Sequence, residues 1–179
     1  MDAGFISAED AAVGINTGKV FARGAAYDAE GGRAVVLVGT ESGHLWERLC
    51  VRKGERWFIA DWDSANSAGL SWSPWPIRDP GDTGVGRISG HAPDGAVALV
   101  ARLRNEEVRA PVRGGFFVAA WWDAPWDALP EEATFVGPSG EPLEDALSGT
   151  KQELAEWRVA LSERFQILRQ RDHDSKRSG

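Results

Sequence analysis

Two stretches of the chain resemble each other, and this faint duplication constrains the fold more than any other feature of the sequence. Residues 32–38 resemble residues 95–100, and residues 51–62 parallel residues 112–121. Each half contains a β-branched run, a polar turn, a second apolar run and a glycine-marked turn into an aromatic segment. Such a pattern predicts short antiparallel strands joined by tight turns.

The aromatic segment of the first half shows the alternation of a β-strand. Trp57, Ile59 and Asp61 share one predicted face, and the residues between them share the other. A further strand is expected at residues 133–136, with residues 70–72 as its equivalent in the first half. Each half therefore predicts three or four short strands.

Neither half alone has enough strands to bury both of its faces, so the two halves are expected to pack together. The predicted fold class is mainly β: a β-sandwich or partly closed barrel built from two internally repeated antiparallel units. Residues 17–145 form this single β domain, with units at about 17–73 and 85–145 and a Pro/Gly-rich connection at 74–84. Two separate small β domains are the alternative.

The two ends of the chain differ from the β domain in their pattern. Residues 1–16 form an N-terminal segment in which Ser7 is suited to cap a short helix. Residues 146–171 predict an amphipathic α-helix that begins near a capping box at Thr150 and Glu153, and residues 172–179 form a polar tail. The apolar stripe of the helix, a candidate interface, consists of Leu154, Trp157, Leu161, Phe165 and Leu168. This stripe packs either on the chain's own sheet or against a second protein.

Charge and composition narrow the classes of partner. The formal net charge of −7 opposes binding to nucleic acid, which depends on neutralising phosphates with basic side chains. No run approaches the length of a membrane span and the first residues lack a signal-peptide pattern, so we expect a cytoplasmic protein without membrane insertion. Abundant Ala, Gly and Arg beside four lysines are typical of a high-GC bacterium or its phage.

Tryptophan and aspartate side chains cluster near predicted strand ends. Flat aromatic faces beside carboxylates are suited to partner or sugar binding. The candidate binding surface consists of Trp72, Trp75, Trp122, Trp126, Asp63, Asp123 and Asp127. Trp62 and Trp121 align in the duplication, and we expect both to face the core. The four candidate tryptophans lie near proline or outside the alternation, so we expect them to be exposed.

No constellation for catalysis, cofactor binding or metal binding is evident in the sequence. A hydrolase would need two of the carboxylates Asp63, Asp123 and Asp127 to converge with a raised pKa. The three histidines are scattered, the single cysteine, Cys50, is flanked by apolar residues, and no nucleophile elbow or phosphate loop occurs. We therefore expect no catalytic residues, no cofactor and no metal.

These patterns favour a non-enzymatic protein-interaction module, an adaptor, regulatory or structural component of a bacterial or phage assembly. The aromatic loops, the C-terminal helix or both would contact a protein partner or a second copy of the chain. The alternative is a carbohydrate-binding β-sandwich module that uses the loop tryptophans and aspartates.

Overall fold

The computed structural model describes residues 6–15, 19–64, 69–74, 83–125 and 128–146. For residues 8, 62–64 and 69–74 it describes the backbone alone. All described residues belong to one unit, Met1–Ala146. The predicted C-terminal helix and polar tail lie outside the described residues.

One short helix and eleven strands make up the described part. The helix α1 spans Ala8–Ala11. The first five strands are β1 (Val20–Tyr27), β2 (Arg33–Thr40), β3 (Leu45–Lys53), β4 (Arg56–Ser64) and β5 (Gly69–Pro74). The others are β6 (Thr83–His91), β7 (Ala98–Arg102), β8 (Glu107–Pro111), β9 (Phe116–Pro125), β10 (Glu132–Val136) and β11 (Pro142–Asp145). The prediction of a mainly β fold is confirmed.

The strands form three antiparallel sheets, none of which closes on itself within the described residues. Sheet 1 has the order β1-β2-β3-β4, sheet 2 the order β5-β6-β9, and sheet 3 the order β11-β10-β7-β8. The strands of sheet 1 pair in chain order. In the second half β7 likewise pairs with its successor β8, but β6 pairs with β9 and not with β7.

Strand β2 of sheet 1 is buried on both faces, as its uninterrupted apolar run at residues 34–38 indicates. Alternate side chains of this run enter two different clusters. The cluster shared with sheet 2 consists of Val35, Leu37, Leu45, Leu49, Val85, Val118 and Ala120. The cluster on the outer face consists of Ile6, Ala11, Ala34, Val36, Val38 and Cys50. The N-terminal segment thus covers the outer face of sheet 1.

The short helix expected near Ser7 is present, and its first turn explains why it begins there. The backbone N–H of Asp10 donates to Oγ of Ser7 at 3.0 Å, and this hydroxyl donates to Oδ2 of Asp10 at 2.9 Å. These bonds satisfy a donor that the helix itself leaves free. Ala11, at the end of α1, is fully buried against sheet 1.

Sheet 2 also contacts sheet 3. The rings of Phe117 in β9 and Phe135 in β10 meet edge to face, with centroids 5.0 Å apart. Successive residues of β9 point to opposite sides, so Val118 enters the cluster with sheet 1 while Phe117 faces sheet 3. Within the described residues, no helix is long and apolar enough to span a membrane.

A β-bulge in β4 corrects one prediction of side-chain direction. Ile59 lies opposite Cys50, whereas Asp61 lies opposite Leu49, so Ala60 is an extra residue in the strand. Cys50 and Leu49 belong to the outer and inner clusters of sheet 1. The prediction that Ile59 and Asp61 share a face is therefore wrong, because the bulge turns Asp61 toward sheet 2.

Candidate functional site

The residues predicted to form a binding surface fall on several elements. Trp72 lies in β5 opposite Gly86, and Asp63 lies in β4 opposite Glu47. Trp122 and Asp123 are neighbours in β9. The remaining candidates lie outside the described residues, and these are Trp75, Trp126 and Asp127, together with the helix stripe Leu154, Trp157, Leu161, Phe165 and Leu168.

Trp122 and Asp123 owe their positions to a bulge in β9. Gly84 pairs with Ala124 and Gly86 pairs with Trp121, so one residue of β6 faces two residues of β9. Asp123 has a φ of 52°, a left-handed conformation that aspartate tolerates better than most residues. The strand consequently bends, and the Asp123 side chain points toward the beginning of β2.

Asp123 is held by a network that joins sheets 1 and 2. Arg33 donates from Nη1 and Nη2 to the two carboxylate oxygens of Asp123, at 2.6 and 2.7 Å. Nε of Arg33 donates to Asp28 at 2.8 Å, and its guanidinium lies 5.2 Å from the ring centre of Trp122. The half-buried Trp122 also packs against the core cluster of sheets 1 and 2. Arg33 thus engages both side chains, although that of Asp123 is 61% exposed.

The electrostatics of this network favour ionised carboxylates. The hydrogen bonds from Arg33 lower the pKa of Asp123, and the pKa of Arg33 is raised by its hydrogen bond with Asp123. A general acid needs a raised pKa, so Asp123 does not have the property that the carboxylate hypothesis required. Asp63 and Asp127 have no described side chains with which Asp123 could be compared.

Asp28 contributes the buried part of the same network. Burial alone would raise its pKa, but hydrogen bonds from the Arg33 side chain and from the backbone of Arg33 and Gly32 lower it below the ordinary value of 3.8. Because the folded pKa is the lower one, ionised Asp28 stabilises the fold above pH ~4. This stabilisation is lost as the pH falls through the folded pKa.

Trp121 is buried, as its place in the duplication predicts. It is 1% exposed, and its Nε1 donates to the carbonyl oxygen of Ala128 at 2.8 Å. The indole lies directly over Gly86, where a Cβ atom would overlap the ring. The side chain of Trp62, its predicted counterpart, is not described.

A charged network between sheets 1 and 2 was not predicted from the sequence. Arg87 and Glu47, 2% and 3% exposed, form an ion pair through Nε and Oε1. Ser89 donates to Oε2 of Glu47 at 2.5 Å, and Nη2 of Arg87 lies 3.6 Å from Asp61. The sequence does carry a signal, since Glu47 alternates with Leu45 and Leu49 and therefore points into the core. No pattern in the sequence indicates the bulge in β4 that brings Asp61 close to Arg87.

The outer face of sheet 3 carries an open groove of about 390 Å³. Its floor consists of Val100, Thr134 and Val136, which lie side by side on β7 and β10. Pro142 of β11 lines one side of the groove. The charged residues of the rim are Arg102, Glu107, Arg109 and Glu132.

The rim charges are loosely paired. Arg102 lies 3.4 Å from Glu107 and 3.3 Å from Glu132, and all three side chains are more than half exposed. Such solvated pairs contribute about 0–1 kcal/mol each and exchange partners easily. Among the described residues Arg109 has no carboxylate within ion-pair distance. The groove thus combines a largely aliphatic floor with charges that a partner can engage.

Metal binding and similarity to known proteins give no further indication of a site. Within the described ranges, no group of three or more His, Cys, Asp or Glu side chains is arranged to hold a metal ion. Comparisons of the chain with protein-family models, with curated proteins and with solved structures found no match.

Proposed function

We propose that the protein is a non-enzymatic protein-interaction module and that the sheet 3 groove is its contact surface. The observation that carries the proposal is the groove itself, with an apolar floor at Val100, Thr134 and Val136 and an exposed charged rim. Small-molecule sites enclose most of their ligand in a mainly apolar pocket. An open, charge-rimmed groove is better suited to a segment of another protein.

The edges of sheet 3 favour contact through side chains. β8 and β11 are its edge strands, and an exposed edge is a common place for a partner to add a strand. However, Pro111 ends β8 and Pro142 begins β11. Proline has no N–H to donate, so each edge strand lacks a backbone donor at one end. The partner segment is therefore expected to lie across the groove floor.

The fold on which this surface stands is proposed to be a β-sandwich formed by sheets 1 and 2, with sheet 3 packed on its second sheet. Support comes from the cluster to which both sheets contribute and from the contact of Phe117 with Phe135. The internal repeat, the domain boundaries, the cytoplasmic location and the docking role of the C-terminal helix stay predictions.

The alternative of carbohydrate binding is less well supported by the described residues. Trp122 lies beneath Arg33, and Asp123 accepts both of its hydrogen bonds from the same guanidinium. Arg33 thus already engages both of the side chains that a sugar would use. The hypothesis stays a prediction for Trp72, Trp75 and Trp126, whose side chains are not described.

The test compares the protein with a variant whose groove is filled. Thr134→Arg places a long charged side chain on the floor, and the matched control Thr83→Arg makes the same change at an exposed threonine at the start of β6. Partners captured from the native host are identified, produced in pure form and titrated by calorimetry against all three proteins.

We expect a partner that binds the native protein and Thr83→Arg equally and binds Thr134→Arg at least ~10-fold more weakly, about 1.4 kcal/mol. Equal binding by all three folded proteins would exclude the groove as the contact surface. Capture that depends on residues 149–179 and not on Thr134 would assign the contact to the C-terminal segment.

A further inference from the structure

A second cluster of functional groups lies where β1 of sheet 1 meets β9 of sheet 2. It consists of Lys19, Phe21, Arg23, His91 and Phe116, and we call it the Arg23 clamp. The guanidinium carbon of Arg23 lies 5.0 Å from the ring centre of Phe21 and 5.1 Å from that of Phe116. The cation is therefore held against two aromatic rings.

The local backbone is shaped to hold Arg23 in this place. Ala22 pairs with Val38 and Gly24 pairs with Leu37, so Arg23 is the extra residue of a bulge in β1. Its side chain passes over Gly39 of β2, where a Cβ atom would lie 2.7 Å from Nε. A glycine at this position is thus required by the close approach of the arginine.

The guanidinium is positioned but not neutralised. Nε of Arg23 is buried and has no hydrogen-bond partner within the described residues, and no carboxylate in the same part of the chain forms an ion pair with Arg23. Burying a charged donor without an acceptor is costly, so such a group is normally paired. The two rings lie about 5 Å from the guanidinium carbon, and the Nη groups, which unlike Nε are not buried without a partner, are donors for an anion.

Further positive or donor groups flank the same rings. Nζ of Lys19 lies 5.6 Å from the ring centre of Phe21, and the imidazole of His91 lies 4.5 Å from the ring of Phe116. Lys19 and His91 are both exposed. This local set of donors contrasts with the net charge of −7 of the whole chain.

We propose that the Arg23 clamp binds a phosphate group, either inorganic phosphate or the phosphate of a small monoester. The planar fork of arginine matches two oxygens of a tetrahedral oxyanion, and a dianion gains more from the neighbouring Lys19 than a carboxylate does. The site is separate from the sheet 3 groove, so its occupancy does not depend on the proposed interaction function.

The experiment titrates the protein with sodium phosphate and with glycerol phosphate at constant ionic strength, following backbone amide shifts by NMR. Sodium acetate serves as the carboxylate comparison and sodium chloride as the salt control. Arg23→Gln removes the charge, whereas Gly39→Ala keeps it and displaces the side chain. Arg56→Gln is the matched control, because Arg56 lies 5.7 Å from a single phenyl ring, that of Phe58.

We expect saturable shifts around residues 21–23 and 116 with phosphate, and at least ~10-fold weaker binding of acetate. Arg23→Gln and Gly39→Ala should each weaken phosphate binding by at least ~10-fold, and Arg56→Gln should leave it unchanged. Tighter binding of glycerol phosphate than of phosphate would identify a monoester as the ligand, and the reverse order would identify the free ion.

Shifts that do not saturate, that chloride reproduces, or that persist in folded Gly39→Ala would overturn the proposal. If Arg23→Gln fails to fold by circular dichroism, Gly39→Ala and Lys19→Gln decide the outcome. Loss of partner binding by Thr134→Arg with intact phosphate binding would separate the groove from the clamp.

Discussion

The buried ion pair of Arg87 and Glu47 offers the sharpest test of how sheets 1 and 2 are held together. Both side chains are almost completely buried, and each belongs to a different sheet. Removing one partner of such a pair leaves an uncompensated charge in the core, at a cost of about 3–5 kcal/mol. Replacing both by apolar residues of similar volume removes the charge altogether.

The two single substitutions should differ because their remaining partners differ. Arg87→Met leaves the Glu47 carboxylate buried beside Ser89 without its cation, so we expect a loss near 5 kcal/mol. Glu47→Leu leaves Arg87 with Asp61 at 3.6 Å, a carboxylate that is 39% exposed, so we expect a loss near 3 kcal/mol.

The double variant tests whether Arg87 and Glu47 stabilise the fold as a coupled pair. If the pair acts as a unit, Glu47→Leu with Arg87→Met loses less stability than either single variant, with a coupling energy of about 5 kcal/mol or more. The free energy of unfolding is measured by urea titration with tryptophan fluorescence. Additive losses of about 8 kcal/mol would refute the interpretation.

An exposed pair provides the control for this cycle. Arg102→Met and Glu107→Leu remove an ion pair at 3.4 Å whose side chains are more than half exposed. We expect single losses within about 1 kcal/mol and a coupling energy near zero. A similar coupling energy in both cycles would mean that burial does not cause the effect.

Three other predictions follow from the same packing. Asp28→Asn should cost about 1–2 kcal/mol at pH 7 through weaker bonding to Arg33. In urea titrations the difference should shrink as the pH falls through the lowered pKa of native Asp28, and an undiminished difference after its protonation would contradict the lowered pKa. Gly86→Ala should destabilise the fold by about 1–3 kcal/mol because its Cβ would overlap Trp121. Gly32→Ala is the control and should cost far less, because its Cβ would meet open space. Equal losses of stability in thermal unfolding would argue against the contact between Gly86 and Trp121. Burial raises the pKa of Cys50 to about 12, so Ellman's reagent at pH 8 should react with this thiol only in denaturant. Rapid labelling of the native protein would show that the outer cluster of sheet 1 is open to solvent.

Local pattern predicted the strands but not their neighbours. The aromatic segment at residues 57–62 is part of β4, and the strand expected at 133–136 is β10. These predictions succeed because alternation and turn residues act over a few positions. The pairing of β6 with β9 joins residues far apart in the chain, and nothing within either strand specifies its partner.

The candidate site was predictable only in part. Trp122 was expected to be exposed and is half-buried, and both it and the exposed Asp123 are engaged by Arg33, about 90 residues away in sequence. The groove floor at Val100 and Thr134 was not singled out, because an apolar or small polar residue in a strand does not reveal whether a second layer covers it.

The sequence by itself determined that this chain forms a mainly β protein, since its apolar period and its turn residues act locally. It also determined that Trp121 is buried and that Ser7 starts a helix. The tertiary structure alone decided where the bulges fall at Arg23, Ala60 and Asp123, because a bulge depends on the register between two strands. Those bulges place Arg23 against its two rings, Asp61 beside Arg87 and Asp123 beside Arg33. The directions of these three side chains therefore follow from the packing between sheets.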